Sequence, residues 1–146
     1  MLAKDVMTSP VITLRPHVPA HAAAALLVSH GFTGAPVVDA AGRVVGIATE
    51  ADLMRGRIRP EGWRVAEEAE PTVGDVMTPG PIGMSPEADL ADVVALMLDE
   101  RIRTVPIVDD GELVGVVSRR DALRVVANRE LTSDDVRRRR GVPRRR

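Results

Sequence analysis

The sequence predicts a fold of the α/β (α+β) class, built from two tandem copies of a β-α-β-β-α unit. The main observation is a repeated motif. Asp5-Val6-Met7-Thr8 recurs as Asp75-Val76-Met77-Thr78, 70 positions later. Two further observations give the unit its elements: apolar residues at helical spacing, and glycine turns between runs of β-branched residues. A unit of about 50 residues buries little surface alone, so the two copies are expected to pack as one globule.

Each copy opens on a short apolar run that predicts a brief strand, Val11 to Leu14 in the first and Ile82 to Met84 in the second. A helix is predicted next, over residues 19–30 and 89–100. The second helix has the clearer amphipathic pattern, because its apolar residues follow the i, i+3, i+4, i+7 spacing: Leu90, Val93, Val94 and Met97.

The two helices are expected to begin differently. Asp89 can accept a hydrogen bond from a free N–H group in the first turn of the second helix, and it is the predicted N-cap. Pro19 stands at the equivalent position of the first copy and has no such side chain. The first helix should therefore be less well capped.

Two further strands, joined by a tight turn, and a second helix complete each copy. Asp and Gly in the turn accept the positive φ that a tight hairpin requires. The strand, turn, strand and helix of the first copy are predicted at residues 36–38, 39–42, 43–49 and 50–57. Those of the second copy are predicted at residues 106–108, 109–111, 112–118 and 119–129.

These elements divide the chain into four segments. The first repeat spans residues 5–57 and the second spans 75–129. Residues 58–74, with two prolines and an acidic run, are interpreted as a linker. Residues 130–146 form a basic tail that is predicted to be disordered.

The composition excludes several classes of protein. The chain has no Cys, which excludes disulfide scaffolds, zinc fingers, iron–sulfur sites and thiol catalysis. Phe32 and Trp63 are the only aromatic residues, so aliphatic side chains and the six Met must fill the core. His17 and His21 lie four positions apart, but Pro19 separates them, and no metal site is predicted.

Neither an enzyme nor a membrane protein is predicted. The sequence has no glycine-rich phosphate loop, no HExxH motif and no recognisable pair of nucleophile and base. The longest uncharged apolar stretch, Ala22 to Val28, is too short to span a bilayer, and the first residues lack a signal-peptide pattern. A cytoplasmic protein without membrane contact is therefore expected.

The motif [ST]-x-x-D occurs in both copies where a strand passes into a helix, as Thr49 to Asp52 and as Ser118 to Asp121. One interpretation is a ligand site, since a carboxylate accepts hydrogen bonds from ribose hydroxyls and a helix N-terminus attracts phosphate. The other is a capping box, which needs only the helix start. Recurrence beside Gly46 and Gly115 favours the site, and one residue can do both.

Taken together, the repeated D-V-M-T, x-x-P-h-V-D, h-V-G-h-h and [ST]-x-x-D motifs resemble a CBS-domain pair, also called a Bateman module. The resemblance covers most of the chain, with the motifs in order in both copies. It implies a pseudo-twofold pair of repeats with two clefts between them. It also implies regulatory binding of an adenosine-containing ligand such as AMP, ADP, ATP, S-adenosylmethionine or NAD, with no obligatory cofactor.

The resemblance implies that each cleft takes its ribose carboxylate from one copy and much of its adenine wall from the other. The residues implied for the first cleft are Asp121, Ser118, Arg120, Thr8, Thr13, Phe32 and Thr33. The residues implied for the second cleft are Asp52, Thr49, Thr78, Gly83, Ile102 and Arg103. Because Arg119 and Arg120 attract an anion whereas Glu50 repels it, the Asp121 cleft is expected to bind more tightly.

The basic residues are concentrated at the end of the chain. Residues 137–146 contain seven of the 20 basic residues and no acid, so residues 1–136 carry 13 basic and 21 acidic residues, a net charge of -8. Such a block is typically a solvated tail, and nucleic acid is a less favoured partner because no aromatic residues interleave for base stacking.

The leading hypothesis is a free-standing regulatory module that binds an adenine nucleotide and signals by a change of conformation or of dimer arrangement. The apolar helix faces predict a homodimer, and a regulatory role requires a target protein that the sequence does not identify. Two alternatives stay open. The first is a ligand-independent dimerisation or scaffold module, and the second is a nucleic-acid-binding protein that acts through its arginine tail.

Overall fold

A computed structural model describes residues 1–9, 11–57, 70–80, 83–128 and 136. The elements are, in chain order, α1 (Ala3–Val6), α2 (Ala20–His30), β1 (Gly34–Val38), β2 (Val44–Thr49), α3 (Glu50–Arg57), α4 (Val73–Val76), β3 (Thr78–Pro79), α5 (Leu90–Glu100), β4 (Thr104–Asp109), β5 (Glu112–Ser118) and α6 (Arg119–Ala127). They form two compact units, which we call unit 1 (Met1–Val11 with Ile82–Arg146) and unit 2 (Ile12–Pro81). The mixed class predicted from the sequence is confirmed.

Unit 2 contains a three-stranded antiparallel sheet in the order β1-β2-β3. The β1–β2 turn is stabilised by Asp39, whose Oδ1 accepts hydrogen bonds from the N–H groups of Ala41 (2.9 Å) and Arg43 (3.0 Å). The core beneath this sheet consists of small and aliphatic side chains from the sheet and helices: Leu14, Ala20, Ala23, Leu27, Ala35, Val37, Ala48, Leu53 and Val73.

Unit 1 contains the β4–β5 hairpin, to which Thr8 adds a single antiparallel bridge at Val116. Its helices α5 and α6 bury larger aliphatic side chains than those of unit 2. The core residues are Ala3, Leu90, Ala91, Val93, Ala95, Met97, Val105, Ile107, Val117, Val125 and Val136.

The leading segment of each sequence copy belongs to the unit formed by the rest of the other copy. In unit 1, the N–H of Ala3 donates to the carbonyl of Ala88 (2.8 Å). In unit 2, the N–H of Val73 donates to the carbonyl of Val18 (2.8 Å). These two bonds are equivalent at the 70-residue offset, so the exchange of leading segments is reciprocal.

Glycine allows each leading segment to lie close to its sheet. A Cβ on Gly115 would lie 2.5 Å from the Met7 sulfur, and a Cβ on Gly46 would lie 2.6 Å from the carbonyl oxygen of Thr78. Both distances are shorter than a van der Waals contact, so a larger residue would push the segment away.

The predicted strand at residues 11–14 is wrong, because only one residue of that run pairs. Leu14 makes an isolated parallel bridge to Val37, and the chain turns at Pro16. Met84 makes the equivalent bridge to Ile107 in the other run, of which residue 82 lies outside the described residues. The elements α1, α4 and β3 were not predicted from the sequence.

The predicted difference between the helix starts is confirmed. Asp89 accepts a hydrogen bond from the N–H of Ala91 (2.9 Å), whereas Pro19 provides no side-chain cap to α2. Within the tail predicted to be disordered, the structure describes only Val136, which is helical and buried in unit 1. Of the predicted linker, residues 58–69 lie outside the described residues, and α4 begins at Val73.

Candidate functional site

Asp121 is a buried carboxylate in the first turn of α6, and it is only 4% exposed. Its Oδ2 accepts a hydrogen bond from the N–H of Ser118 (2.9 Å), and its own N–H donates to Ser118 Oγ (3.1 Å). These reciprocal bonds form a capping box, so the capping interpretation of the motif is confirmed in unit 1.

Two further side chains approach the Asp121 carboxylate. The Thr8 hydroxyl lies 3.4 Å from Oδ1 and 3.3 Å from Oδ2, distances that correspond to weak hydrogen bonds. Backbone bonds between Thr8 and Val116 hold that hydroxyl in place. Arg124, one turn along α6, donates to Oδ1 at 3.3 Å while its side chain remains 69% exposed.

Asp52 has the same environment in the first turn of α3 and is 3% exposed. The N–H of Thr49 donates to Oδ2 (3.1 Å), and the N–H of Asp52 donates to the Thr49 hydroxyl (3.2 Å). The Thr78 hydroxyl lies 3.4 Å from Oδ2, and Arg55 forms an ion pair with Oδ1. Each unit therefore has one buried aspartate with an N–H, a threonine hydroxyl and an arginine around it.

Arg55 and Arg124 were not identified as site residues from the sequence. Their signal was present, since both copies have an arginine three positions after the aspartate, which is the spacing of neighbours on one helix face. The arginines partly neutralise the buried carboxylates, and their own side chains stay exposed to solvent.

This arrangement can exchange hydrogen-bond partners. A carboxylate has about four acceptor positions, and at each aspartate the bond from the backbone N–H is fixed by the helix start. The threonine hydroxyl is distant and the arginine is exposed, so both can give way to incoming hydroxyl groups. A vicinal diol such as ribose supplies two such donors.

The charges at the two helix starts differ as predicted from the sequence. Arg119 and Arg120 occupy the first turn of α6 and are exposed, whereas Glu50 begins α3 and is also exposed. The positive end of the helix dipole is therefore reinforced in unit 1 and opposed in unit 2.

Two other predicted wall residues, Thr33 and Arg103, lie next to the helix start of their own unit. The carbonyl of Thr33 accepts a hydrogen bond from the N–H of Glu50 (2.9 Å), and the carbonyl of Arg103 accepts one from Arg119 (2.8 Å). Phe32 is 41% exposed, and its ring stacks on His30 with centroids 5.7 Å apart.

The structure brings some of the predicted site residues together within one unit. Thr8, Ser118, Arg120 and Asp121 belong to unit 1, and Thr49, Asp52 and Thr78 belong to unit 2. Thr13, Phe32 and Thr33, predicted for the Asp121 cleft, belong to unit 2; Gly83, Ile102 and Arg103, predicted for the Asp52 cleft, belong to unit 1. Their role in those clefts stays a prediction.

Among the described residues, no three His, Asp or Glu side chains come together as a metal site. His21 is instead paired with Glu70 on the surface. In the described parts of the chain, no helix combines the length and apolarity needed to cross a bilayer.

Comparisons with known proteins agree with the two-copy arrangement. The family model described as CBS domain matches residues 3–58 and 73–128. CBSX1, a chloroplastic CBS domain-containing protein of Arabidopsis thaliana, is 29% identical over 132 residues, which cover 75% of this chain and 56% of CBSX1. The chain thus spans little more than half the length of that relative.

Two solved structures match this chain over nearly their whole length. The structure of CBSX2 in complex with AMP has a TM-score of 0.76 and 28% identity, and covers 89% of this chain and 98% of that chain. The CBS domain pair of protein MJ0100, in complex with 5′-methylthioadenosine and S-adenosyl-L-methionine, has a TM-score of 0.76 and 28% identity. That match covers 88% of this chain and 98% of the other.

Proposed function

Because this chain belongs to the CBS-domain family, we propose that it is a regulatory module that binds adenosine-containing nucleotides. The binding sites are built around Asp121 and Asp52, and occupancy changes the conformation of the chain or the arrangement of a dimer. No bond is made or broken, since a regulatory ligand needs only different affinities for two arrangements.

One observation carries this proposal. In each unit a carboxylate that is at least 96% buried (Asp121 4% and Asp52 3% exposed) faces a threonine hydroxyl at 3.3–3.4 Å. A cap alone does not require this third group, which comes from the repeated D-V-M-T motif rather than from the helix. Such a hydroxyl is well placed to be exchanged for a ribose hydroxyl.

The relatives support the adenosine class. CBSX2 has been crystallised with AMP, and the MJ0100 pair with 5′-methylthioadenosine and S-adenosyl-L-methionine. Adenine and ribose are common to these ligands, so the proposed class is AMP, ADP or ATP, with S-adenosylmethionine and NAD as further members. Phe32 is the only aromatic side chain among the proposed wall residues, which favours modest affinity.

We propose that the two sites differ in affinity. Arg119 and Arg120 surround the helix start next to Asp121 with positive charge, whereas Glu50 places a negative charge at the start of α3. A phosphate therefore binds more tightly near Asp121 than near Asp52. Asp121→Asn should lower total AMP binding more than Asp52→Asn, and equal losses would contradict the ranking.

A homodimer is the proposed signalling assembly. Val28 and Leu98, which are equivalent in the two copies, are 81% and 52% exposed. Met54 and Leu123, a second equivalent pair, are 57% and 56% exposed. Apolar side chains exposed at the same positions of both units are typical of a surface that packs against another protein.

The test of the nucleotide proposal is a thermal-shift panel with AMP, ADP, ATP, NAD and S-adenosylmethionine. A ligand at 100 times its Kd stabilises the folded protein by about 2.7 kcal/mol, which gives a shift of a few degrees. The Asp52→Asn/Asp121→Asn double variant should lose the shift. Asp39→Asn, a change at a turn aspartate, is the matched control and should keep it. If no ligand moves the transition, the proposal is wrong.

The capping boxes favour a second candidate function, a ligand-independent dimerisation or scaffold module. Under that reading, Asp121→Asn lowers the melting temperature but no nucleotide raises it. Nucleic-acid binding through residues 137–146, which lie outside the described residues, is tested separately. A chain ending at Val136 would then lose retention on DNA or RNA, measured at two salt concentrations.

The proposed compartment is the cytoplasm, and the proposed target is a separate protein. The relative CBSX1 is named as a chloroplastic protein, so proteins similar to this chain also occur outside the cytoplasm. Fractionation of cells that express the tagged chain tests the compartment directly. Recovery in a membrane fraction would contradict it.

A further inference from the structure

The charges around the two buried aspartates differ in sign. Residues 118–124, around Asp121, include three arginines and one aspartate, a net charge of +2. The equivalent residues 49–55, around Asp52, include one arginine, one glutamate and one aspartate, a net charge of -1. We call these two groups, each within its own unit, the Asp121 site and the Asp52 site. They share the same contacts to the carboxylate but differ by three elementary charges.

The charges that differ lie at the helix starts. Arg119 and Arg120 are the first two residues of α6, and both are exposed. The N–H of Arg119 donates to the carbonyl of Arg103 (2.8 Å), so a further exposed arginine is adjacent. In unit 2 the exposed Glu50 begins α3, and its N–H donates to the carbonyl of Thr33 (2.9 Å), a neutral residue. A ligand at Asp121 thus lies beside positive charge, and a ligand at Asp52 beside negative charge.

Adenosine-containing ligands can carry a charge of either sign. The 5′-phosphate of AMP has a charge of about -1.5 to -2 at neutral pH. S-adenosylmethionine has a positively charged sulfonium in place of the phosphate, and 5′-methylthioadenosine has an uncharged thioether. All three were crystallised with proteins similar to this chain. They share adenine and a ribose diol, so a carboxylate that binds the diol does not distinguish them, whereas a charge at the helix start does.

We propose that the two sites take adenosine ligands of different charge. The Asp121 site takes a ligand with a 5′-phosphate, and the Asp52 site takes a ligand whose 5′ group is cationic or uncharged. This inference rests on the proposed nucleotide function and adds the ligand class of each site. Arg119 and Arg120 determine the selectivity of unit 1, and Glu50 determines that of unit 2. Occupancy of the two sites then reports two different ligands.

The helix dipole does not cancel this difference. It places about half a positive charge at the start of both helices and so favours an anion at each. Glu50 adds a full negative charge in the first turn of α3, and the nearby Arg55 is already paired with Asp52. The sum at α3 is therefore negative. At α6, Arg119 and Arg120 add to the dipole instead.

Single-site variants studied by calorimetry test the inference. Asp52→Asn leaves the carboxylate only at the Asp121 site, and Asp121→Asn leaves it only at the Asp52 site. The probes are AMP, S-adenosylmethionine and the neutral 5′-methylthioadenosine, which measures binding of the shared adenosine. Relative to that neutral ligand, AMP should bind roughly tenfold more tightly to the Asp52→Asn chain than to the Asp121→Asn chain. S-adenosylmethionine should favour the Asp121→Asn chain by roughly threefold, and higher salt should reduce both differences.

Charge variants that keep both aspartates provide a second test, because they change only an exposed side chain. Glu50→Arg should weaken binding of S-adenosylmethionine by roughly fivefold, and Glu50→Gln by roughly twofold. The same changes should tighten binding of AMP at the weaker of its two sites. Glu112→Gln, at the exposed start of β5, is the matched control and should alter neither affinity.

The outcomes separate this inference from the function on which it rests. If 5′-methylthioadenosine binds both single-site variants and the three ligands rank in the same order at both, the nucleotide function stands and the inference is wrong. A Glu50→Arg chain that binds S-adenosylmethionine as tightly as the unmodified chain would also overturn the inference. If none of the three ligands binds the unmodified chain, the proposed function is wrong and the inference with it.

Discussion

Unit 1 and unit 2 surround their buried aspartates with the same contacts but differ elsewhere. Asp121 and Asp52 each have a capping hydroxyl, a threonine from the leading segment of the other copy and an arginine one turn later. Helix α5 of unit 1 is capped by the side chain of Asp89, whereas the N-cap of α2 in unit 2 is Pro19, which makes no side-chain hydrogen bond. The contacts at the aspartates are thus the same in both units, whereas the capping of α2 and α5 differs.

The contacts that both units keep indicate which groups the repeat requires. The groups around the carboxylates keep both their chemistry and their spacing, although a simple cap would tolerate several residue types. By contrast, the core side chains and the surface charges differ between the two units. This pattern favours the proposed ligand function at the aspartates.

The largest effect is expected from exchanging the core residues that differ. Leu90 is fully buried, and Ala20 is fully buried at the equivalent position. Leu90→Ala should lower the free energy of unfolding by about 3 kcal/mol or more, because a cavity remains where the larger side chain was. Ala20→Leu should cost roughly 1–3 kcal/mol by overpacking. Urea denaturation measures both, and a neutral Leu90→Ala would show that the two cores are interchangeable.

The two glycines beside the leading segments should differ in their tolerance of alanine. At Gly46 the new Cβ would meet a backbone oxygen at 2.6 Å, whereas at Gly115 the first contact is the flexible Met7 side chain. Gly46→Ala should therefore cost roughly 2–3 kcal/mol and Gly115→Ala roughly 1 kcal/mol in urea denaturation. Equal costs would mean that the segments approach both sheets equally closely.

The C-terminal ends of α2 and α5 offer a smaller comparison. Gly31 has φ of +69° and Arg101 has φ of +55°, both left-handed. Gly31→Ala should lower stability by about 1 kcal/mol, because a Cβ is strained in this conformation. Arg101→Gly relieves that strain but adds unfolded-state entropy, so the change should stay within about 0.5 kcal/mol. A loss above that in thermal unfolding would point to a packing role for Arg101.

Nucleotide affinity should respond to a single charge at the helix start. Ala51 of α3 is equivalent to Arg120 of α6. In an Asp121→Asn background, Ala51→Arg should tighten AMP binding at the Asp52 site by about two- to fivefold, since exposed charges contribute little. Ala51→Gln is the uncharged control, and calorimetry at two salt concentrations measures the difference. A gain that survives high salt would not be electrostatic.

The smallest effect concerns the start of α4. Hydrogen bonds from the backbone and side chain of Thr72 lower the pKa of Asp75 below its usual value of 3.8. A pKa that is lower in the folded state stabilises the protein at pH values above the pKa of the unfolded state. This contribution is lost as the pH falls through the pKa of the folded state. Asp75→Asn should therefore show a slightly shallower loss of stability below about pH 4 in urea titrations. Thr72→Leu removes the hydroxyl but keeps the hydrogen bond from the backbone N–H, so its effect should have the same sign and be smaller.

Periodicity and turn chemistry predicted the larger elements. The helices α2 and α5 and both hairpins follow from apolar spacing and from the Asp–Gly turns, and β5 begins and ends as predicted. The single-turn helices α1 and α4 have four residues each, which is too short for any periodic signal. Thr72 to Asp75 is itself a capping pattern and could have indicated α4.

The exchange of leading segments could not be predicted in this way. The repeated motif shows that Thr8 and Thr78 are equivalent, but equivalence does not determine which sheet each one joins. That choice depends on long-range contacts such as the fit of Met7 against Gly115. At the site, the capping pairs were readable locally, whereas the threonine contacts followed only from the family resemblance.

Because of this exchange, the two units can fold at different times during synthesis. The described core residues of unit 2 lie between Leu14 and Val73, so this core can form as soon as that stretch leaves the ribosome. The contact between Thr8 and Asp121 can form only after another 113 residues have been synthesised. At roughly 5–20 residues per second this delay is about 6–23 s. The leading segment of the first copy is therefore made before the sheet and helix of unit 1 that it packs against, and during that interval Met7 and its neighbours are available to a chaperone.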